Sequence, residues 1–147
     1  MLNTSAGSDY SLAASGSKAV IGYTTTSNGA MKARFRRTTD KGSTWSASKP
    51  ILGAPTGTFS TMPRFSYRSG MLAVIFKYGT PGNSPIWSKE STDFGLTWSA
   101  RTRVSNAHFA DSDPEPAGIA VLGTIRLAGY NENRRSPDEG FWVRRSQ

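Results

Sequence analysis

The chain has 147 residues and a mass of 15.9 kDa, the size of one domain. It has no cysteine, which excludes disulfides, zinc–thiolate sites, iron–sulfur clusters and a cysteine nucleophile. With 15 glycines, 8 prolines and 36% hydrophobic residues its apolar runs stay too short for a membrane helix, and its net charge of +8 points to anionic partners.

The opening segment, Met1-Leu2-Asn3-Thr4-Ser5-Ala6-Gly7, has no basic stretch followed by an apolar one and does not read as a secretion signal. Asn3-Thr4-Ser5 matches the short glycosylation-acceptor pattern. Further on, Met31, Ala33 and Phe35 alternate with Lys32, Arg34 and Arg36, the period-2 pattern of a half-buried strand with a solvated basic face. No helix-turn-helix, zinc-finger or RNP-like motif accompanies this charge, which disfavours nucleic acid.

Next comes Thr38-Thr39-Asp40-Lys41-Gly42-Ser43-Thr44-Trp45-Ser46. It returns 53 residues later as Ser91-Thr92-Asp93-Phe94-Gly95-Leu96-Thr97-Trp98-Ser99. Both read Asp-x-Gly-x-Thr-Trp. The flanks repeat as well: Pro63 aligns with Pro116, and Gly70–Phe76 aligns with Gly123–Gly129, again 53 apart. Gly16–Gly22 matches Gly70–Phe76 at 54. Val143-Arg144-Arg145-Ser146-Gln147 matches Phe35–Thr39.

Each unit is expected to run as four strands. In the second they fall at Arg64–Arg68, Leu72–Tyr78, Ile86–Ser91 and Thr97–Val104. A four-stranded repeat of this length is that of a propeller blade. The expected fold is therefore all-β: one unit over 1–147, with blades at about 10–52, 62–105 and an incomplete 114–147. Three blades leave open edges, and a homodimer closing six blades is the simplest completion. A fragment of a longer parent is the alternative, and the two are compatible.

In the repeated motif Asp can accept backbone N–H groups of its own turn, Gly allows a conformation a Cβ forbids, and Trp can bury a large ring. Asp40, Gly42, Thr44, Trp45, Asp93, Gly95, Thr97 and Trp98 are expected to be structural. A calcium loop needs more acidic ligands, so no metal or cofactor is expected. His108 has no nucleophile elbow near it. Asp111, Asp113 and Glu115 form an acidic run whose prolines, Pro114 and Pro116, mark a loop.

The two motifs resemble Asp boxes (BNR repeats) of the sialidase superfamily of β-propellers, which also occur in non-catalytic propellers and phage tail proteins. The resemblance covers essentially the whole chain at blade level. It implies Asp boxes on the face away from the active site, and an extracellular or virion-surface location. The stretch Pro116–Gly140 is similar to the first blade of sialidases. By that match Arg134 falls on an arginine that binds a substrate carboxylate, with Arg135 beside it. Asp138 falls on or near the acid/base aspartate. The match puts Pro114 where a second family arginine would stand, and Arg64, next to Pro63, is offered at a comparable strand start. No Tyr/Glu nucleophile pair can be assigned. The expected function is binding, or hydrolysis within a parent protein, of sialylated or other anionic glycans at loops near Asn28, Pro81 and Arg134. A structural or receptor-binding propeller, or a self-assembling half-propeller, is the alternative.

Overall fold

The computed structural model describes residues 8–27, 29–53, 55–105, 114–132 and 140–146. Among these every regular element is a strand: β1 (Ser8–Ser15), β2 (Lys18–Ser27), β3 (Ala30–Thr38), β4 (Lys49–Pro50), β5 (Phe59–Arg68), β6 (Met71–Gly79), β7 (Ile86–Ser91), β8 (Thr102–Arg103), β9 (Glu115–Leu122), β10 (Ile125–Glu132) and β11 (Gly140–Ser146). They form three antiparallel meanders, β1-β2-β3-β4, β5-β6-β7-β8 and β9-β10-β11. The fold is all-β and is part of a β-propeller.

The first strand of each sheet lies innermost. β1 packs on β5 and β5 on β9, so successive sheets fan out from one side. The core lies between the blades. Between the first two it comprises Val20, Ala33, Phe35, Ile51, Phe65, Leu72, Val74 and Phe76, with Trp98 against it. Between the second and third it comprises Ile75, Ile86, Val104, Ala128 and Tyr130. β6 is buried along almost its whole length because it is covered on both faces.

Strand pairing shifts the repeat by one residue relative to the sequence alignment. Leu12 pairs with Ile21 and Phe65 with Val74, an offset of 53 between the first two blades. Ser66 pairs with Ala73 and Ala120 with Leu127, an offset of 54 between the second and third. Gly16 (φ 62°) therefore corresponds to Ser69 (φ 51°) and to Gly123 (φ 62°), not to Gly70. The tight turn needs a left-handed residue at its first central position, and Ser69 fills it while Gly70 takes the second. The shift matters because one residue reverses the face of every side chain.

The inner strand of the second blade starts at Phe59, not Arg64, and it contains a β-bulge between Thr61 and Arg64. β1 has the same bulge between Ser8 and Ser11. Asp9 (φ 58°) and Met62 (φ 54°), 53 residues apart, take the left-handed conformation in the two bulges. The freed Met62 N–H donates to Thr24 Oγ1 of the first blade at 3.0 Å. Thus the bulge, which breaks the ladder within a blade, makes a hydrogen bond between blades.

The outer strands are shorter than expected: β8 covers only Thr102–Arg103 rather than Thr97–Val104. A serine replaces backbone pairing before it. Ser99 N donates to Glu90 O at 2.8 Å, and Ser99 Oγ accepts from Glu90 N at 3.0 Å. Ser46 and Arg37 repeat the arrangement at 2.9 and 3.1 Å.

Candidate functional site

Strand order sends the loops to two opposite ends of the fan. One end carries the β1–β2 and β5–β6 turns with the two Asp-x-Gly-x-Thr-Trp segments. The other carries the β2–β3 and β6–β7 connections and the links between blades.

At the first end, Asp40 accepts from Thr44 N (2.9 Å), Thr44 Oγ1 (2.6 Å) and Thr38 Oγ1 (2.6 Å), while Gly42 N donates to Thr38 Oγ1 (3.0 Å). Asp93 accepts from Thr97 N (2.9 Å), Thr97 Oγ1 (2.6 Å), Ser91 Oγ (2.7 Å) and Leu96 N (3.0 Å), and Gly95 N donates to Ser91 Oγ (2.7 Å). These donors hold both carboxyls ionised. The Thr38 and Thr44 hydroxyls lead in lowering Asp40 from 3.8 to about 2. The Thr97 hydroxyl and N–H, then Ser91, push Asp93 down in the same way. An acid locked in this state is a turn fastener and a poor proton donor at neutral pH.

Trp98 lies between the first two blades, edge-on to Phe35 at 5.6 Å and 85°, with Phe65 at 6.3 Å. Its buried Nε1–H has no acceptor among the described residues. Trp45, its counterpart, is half-buried like Trp98 but does not pack against that core.

At the opposite end lies a cleft of about 1030 Å³. Gly29, Met31 and Lys32 line it from the first blade, Pro55–Phe59 from the link, and Met62, Lys77, Pro81 and Ser84 from the second. Asp9 and Met62, the two bulge residues, both face it. Its polar lining is mostly hydroxyl, from Thr56, Thr58, Thr61 and Ser84, with the cations Lys32 and Lys77. Asp9 is the one carboxylate among the described lining residues.

Pro81 and Gly29 line the cleft, and Asn28, the other expected residue at this end, lies outside the described residues. Arg134, Arg135 and Asp138 lie outside the described residues. β10 ends at Glu132 and pairs there with Gly140, at the cleft end of the third blade. Arg64 is not at a strand start. It lies in mid-β5, opposite Ile75, and its guanidinium donates to the carbonyls of Pro63 (3.3 Å) and Asp9 (3.5 Å). Glu115 does begin β9 and is exposed, away from the cleft lining.

The basic face of β3 is not simply solvated: Arg34 donates to Ser48 Oγ (2.7 Å) and Ser48 O (3.0 Å). On the opposite face, beside Phe35, Arg37 reaches Phe94 O (2.8 Å) in the next blade. Elsewhere Arg101 stacks 4.7 Å from the rings of both Tyr78 and Trp87. Burial, then Arg101, lowers the pKa of nearby Lys89. Much of the arginine charge is thus engaged in contacts within and between blades. Asp9, Lys32, Lys77 and the Pro55–Phe59 link are the cleft residues that sequence reasoning missed. The 53-residue spacing of Asp9 and Met62 was the available signal, hidden because unlike side chains fill one backbone role. Among the described residues no cluster of three His, Asp or Glu side chains forms a metal site, and no helix is long and apolar enough to cross a membrane.

No protein-family model matches the sequence, and no curated protein matches it. Solved structures do match. An α-L-arabinanase of Penicillium chrysogenum in complex with arabinobiose aligns with a TM-score of 0.57 at 14% identity, over 90% of this chain and 43% of that one. The GH93 α-L-arabinofuranosidase of Fusarium graminearum with arabinobiose aligns at 0.55 and 15% identity, over 87% of this chain and 40% of that one. Both are β-propellers. At such identities the likeness establishes the fold, and the chain spans about two-fifths of the length of these neighbours.

Proposed function

We propose that the chain is part of a carbohydrate-binding propeller of the Asp-box, sialidase-like kind, and that the cleft is where it holds a saccharide. The observation that carries this reading is the position of the cleft, at the end opposite the Asp40 and Asp93 turns. A concave, hydroxyl-lined cleft with apolar patches from Met31, Met62 and Phe59 suits a sugar, whose rings offer both hydroxyls and C–H faces. Lys32 favours a carboxylate-bearing sugar over a neutral one. Two arabinobiose-bound glycosidases among the structural neighbours agree with a saccharide ligand.

Binding is preferred to hydrolysis. Glycoside hydrolysis ordinarily uses two carboxyl groups across the scissile bond. The described lining offers Asp9 alone. By family resemblance Arg134 and Arg135 would contribute carboxylate recognition and Asp138 the proton donor, supplied from the β10–β11 connection. A structural or receptor-binding propeller without hydrolytic activity is the second reading, favoured by the same single carboxylate.

Calorimetric titration with 3′-sialyllactose, lactose and arabinobiose tests the proposal. The expected outcome is binding of the acidic sugar above lactose, abolished by Thr56→Trp, which fills the cleft. No binding by any of the three, or binding untouched by Thr56→Trp, would contradict it. A fluorogenic sialoside assay with Asp138→Ala tests the hydrolytic version, which requires turnover in the native chain and its loss in the variant.

A further inference from the structure

The second blade holds two cations face to face at its outer edge. Trp87 pairs with Arg103 and Ser88 with Thr102, so the next pair along the β7–β8 register is Lys89 with Arg101. Cross-strand neighbours share a face, and like charges set directly opposite each other destabilise a sheet. Lys89 is half-buried and Arg101 is exposed. Glu90, the next residue on β7, alternates to the other face and holds Arg126 at 2.8 Å. Neither Lys89 nor Arg101 has a carboxylate partner among the described residues.

Arg101 is fixed in place without using its hydrogen bonds. Its guanidinium lies 4.7 Å from the Tyr78 ring and 4.7 Å from the Trp87 ring. The two rings meet at 70° with centroids 6.5 Å apart, and Trp87 Nε1 donates to Tyr78 O at 3.1 Å. Trp87 in turn packs against the core between the first two blades. Stacking of this kind occupies the flat faces of a guanidinium and leaves its N–H edges for an oxyanion. The first blade shows the contrast. At the 53-residue offset Arg34 stands where Trp87 stands, and Ser48 stands where Arg101 stands. There Arg34 donates to Ser48 Oγ at 2.7 Å and to Ser48 O at 3.0 Å, so the blade satisfies its own arginine. Arg101 has no such acceptor among the described residues.

We propose that Lys89 and Arg101 bind a sulfate or phosphate group, with the Arg101 edge donating to two of its oxygens and the Lys89 ammonium to a third. The tetrahedral oxyanion supplies the negative charge that the pair lacks. It turns the repulsion across the strands into a shared attraction, and charge-assisted hydrogen bonds of this kind are the strong ones. The rings of Tyr78 and Trp87 hold the arginine ready, so little side-chain freedom is lost when the group arrives. None of Tyr78, Trp87, Lys89 and Arg101 lines the cleft. The site is therefore separate from the saccharide site and does not depend on what the cleft binds.

Calorimetric titration of the chain with inorganic sulfate, inorganic phosphate and galactose 6-sulfate tests the proposal. Both inorganic anions are expected to bind at millimolar concentration. Lys89→Gln and Arg101→Gln should each weaken sulfate binding roughly tenfold, the loss of a hydrogen bond between charged groups. Arg101→Lys keeps the charge without the fork and should weaken it as well. Arg68→Gln removes one exposed charge from the end of the innermost strand of the same blade and should leave binding unchanged. Lys89→Gln removes no contact with either ring, so it keeps the test decisive if loss of the stacked arginine unfolds the blade. Galactose 6-sulfate bound above inorganic sulfate, with the excess lost in Lys89→Gln, assigns the site to a sulfated sugar. Equal or weaker binding of the sugar assigns it to the free ion. No heat from either inorganic anion, binding untouched by Lys89→Gln or by Arg101→Gln in a folded protein, or an equal loss in Arg68→Gln would each overturn the inference.

Discussion

The Phe35 ring of the first blade stands edge-on to the Trp98 ring of the second, 5.6 Å between centroids and 85° between planes. This pair joins the repeated turn to the inter-blade core, because Trp98 comes from the turn that Asp93 fastens. Phe35→Ala is expected to cost about 3–5 kcal/mol, from lost burial and an unfilled cavity. Trp98→Ala should fall in the same range, whereas Trp45→Ala, outside the inter-blade core, should cost much less. Urea denaturation of the three variants checks the order.

The two motif glycines differ in surroundings despite equal backbone demands. Gly42 (φ 88°) and Gly95 (φ 79°) both sit where an L residue costs roughly 1–2 kcal/mol. A Cβ on Gly95 would lie 3.0 Å from the Phe35 ring and 3.4 Å from Trp98, whereas one on Gly42 would meet only Trp45 Nε1 at 3.8 Å. Gly95→Ala should therefore destabilise more than Gly42→Ala, by the added crowding. Equal losses in thermal melting would contradict this packing of the second turn.

The Asp turns also set the acid limb of stability. Both carboxyls have folded-state pKa values below the unfolded value near 3.8, Asp40 at about 2. Their stabilisation is therefore complete above the unfolded value. It is lost as pH falls from about 4 toward 2, where the folded state must take up protons. Melting temperature should drop across that window. The double variant Asp40→Asn, Asp93→Asn should be less stable at pH 7 and show a shallower acid decline.

Charge in the cleft should decide ligand class. Lys32→Ala is expected to lower affinity for an acidic saccharide several-fold and leave a neutral one nearly unchanged. The native affinity for the acidic sugar should fall with added salt. Calorimetry at two ionic strengths checks both.

The turns were the most legible part of the fold in the sequence. Their chemistry is local: Asp93, Gly95 and Thr97 meet within a few residues of one another. The three-blade organisation followed from their spacing. Strand register was not legible, because Ser69 performs in the second blade what Gly16 and Gly123 perform in the others, and matching glycines to glycines slipped the frame by one. The outer strand was overdrawn because Ser99 imitates a strand acceptor with its side chain. The cleft was only partly visible, since Asp9, Lys32, Thr56 and Lys77 converge from segments far apart and no local pattern links them.

The central claim is that ligand meets the protein at the end opposite the Asp turns. Amide chemical-shift mapping of the native chain during titration with 3′-sialyllactose tests it most directly. The account expects shifts at Gly29–Lys32, Thr56–Thr61 and Gly82–Ser84, with the amides of Thr44 and Thr97 unmoved. Shifts centred on Thr44 and Thr97, with the cleft amides silent, would contradict it.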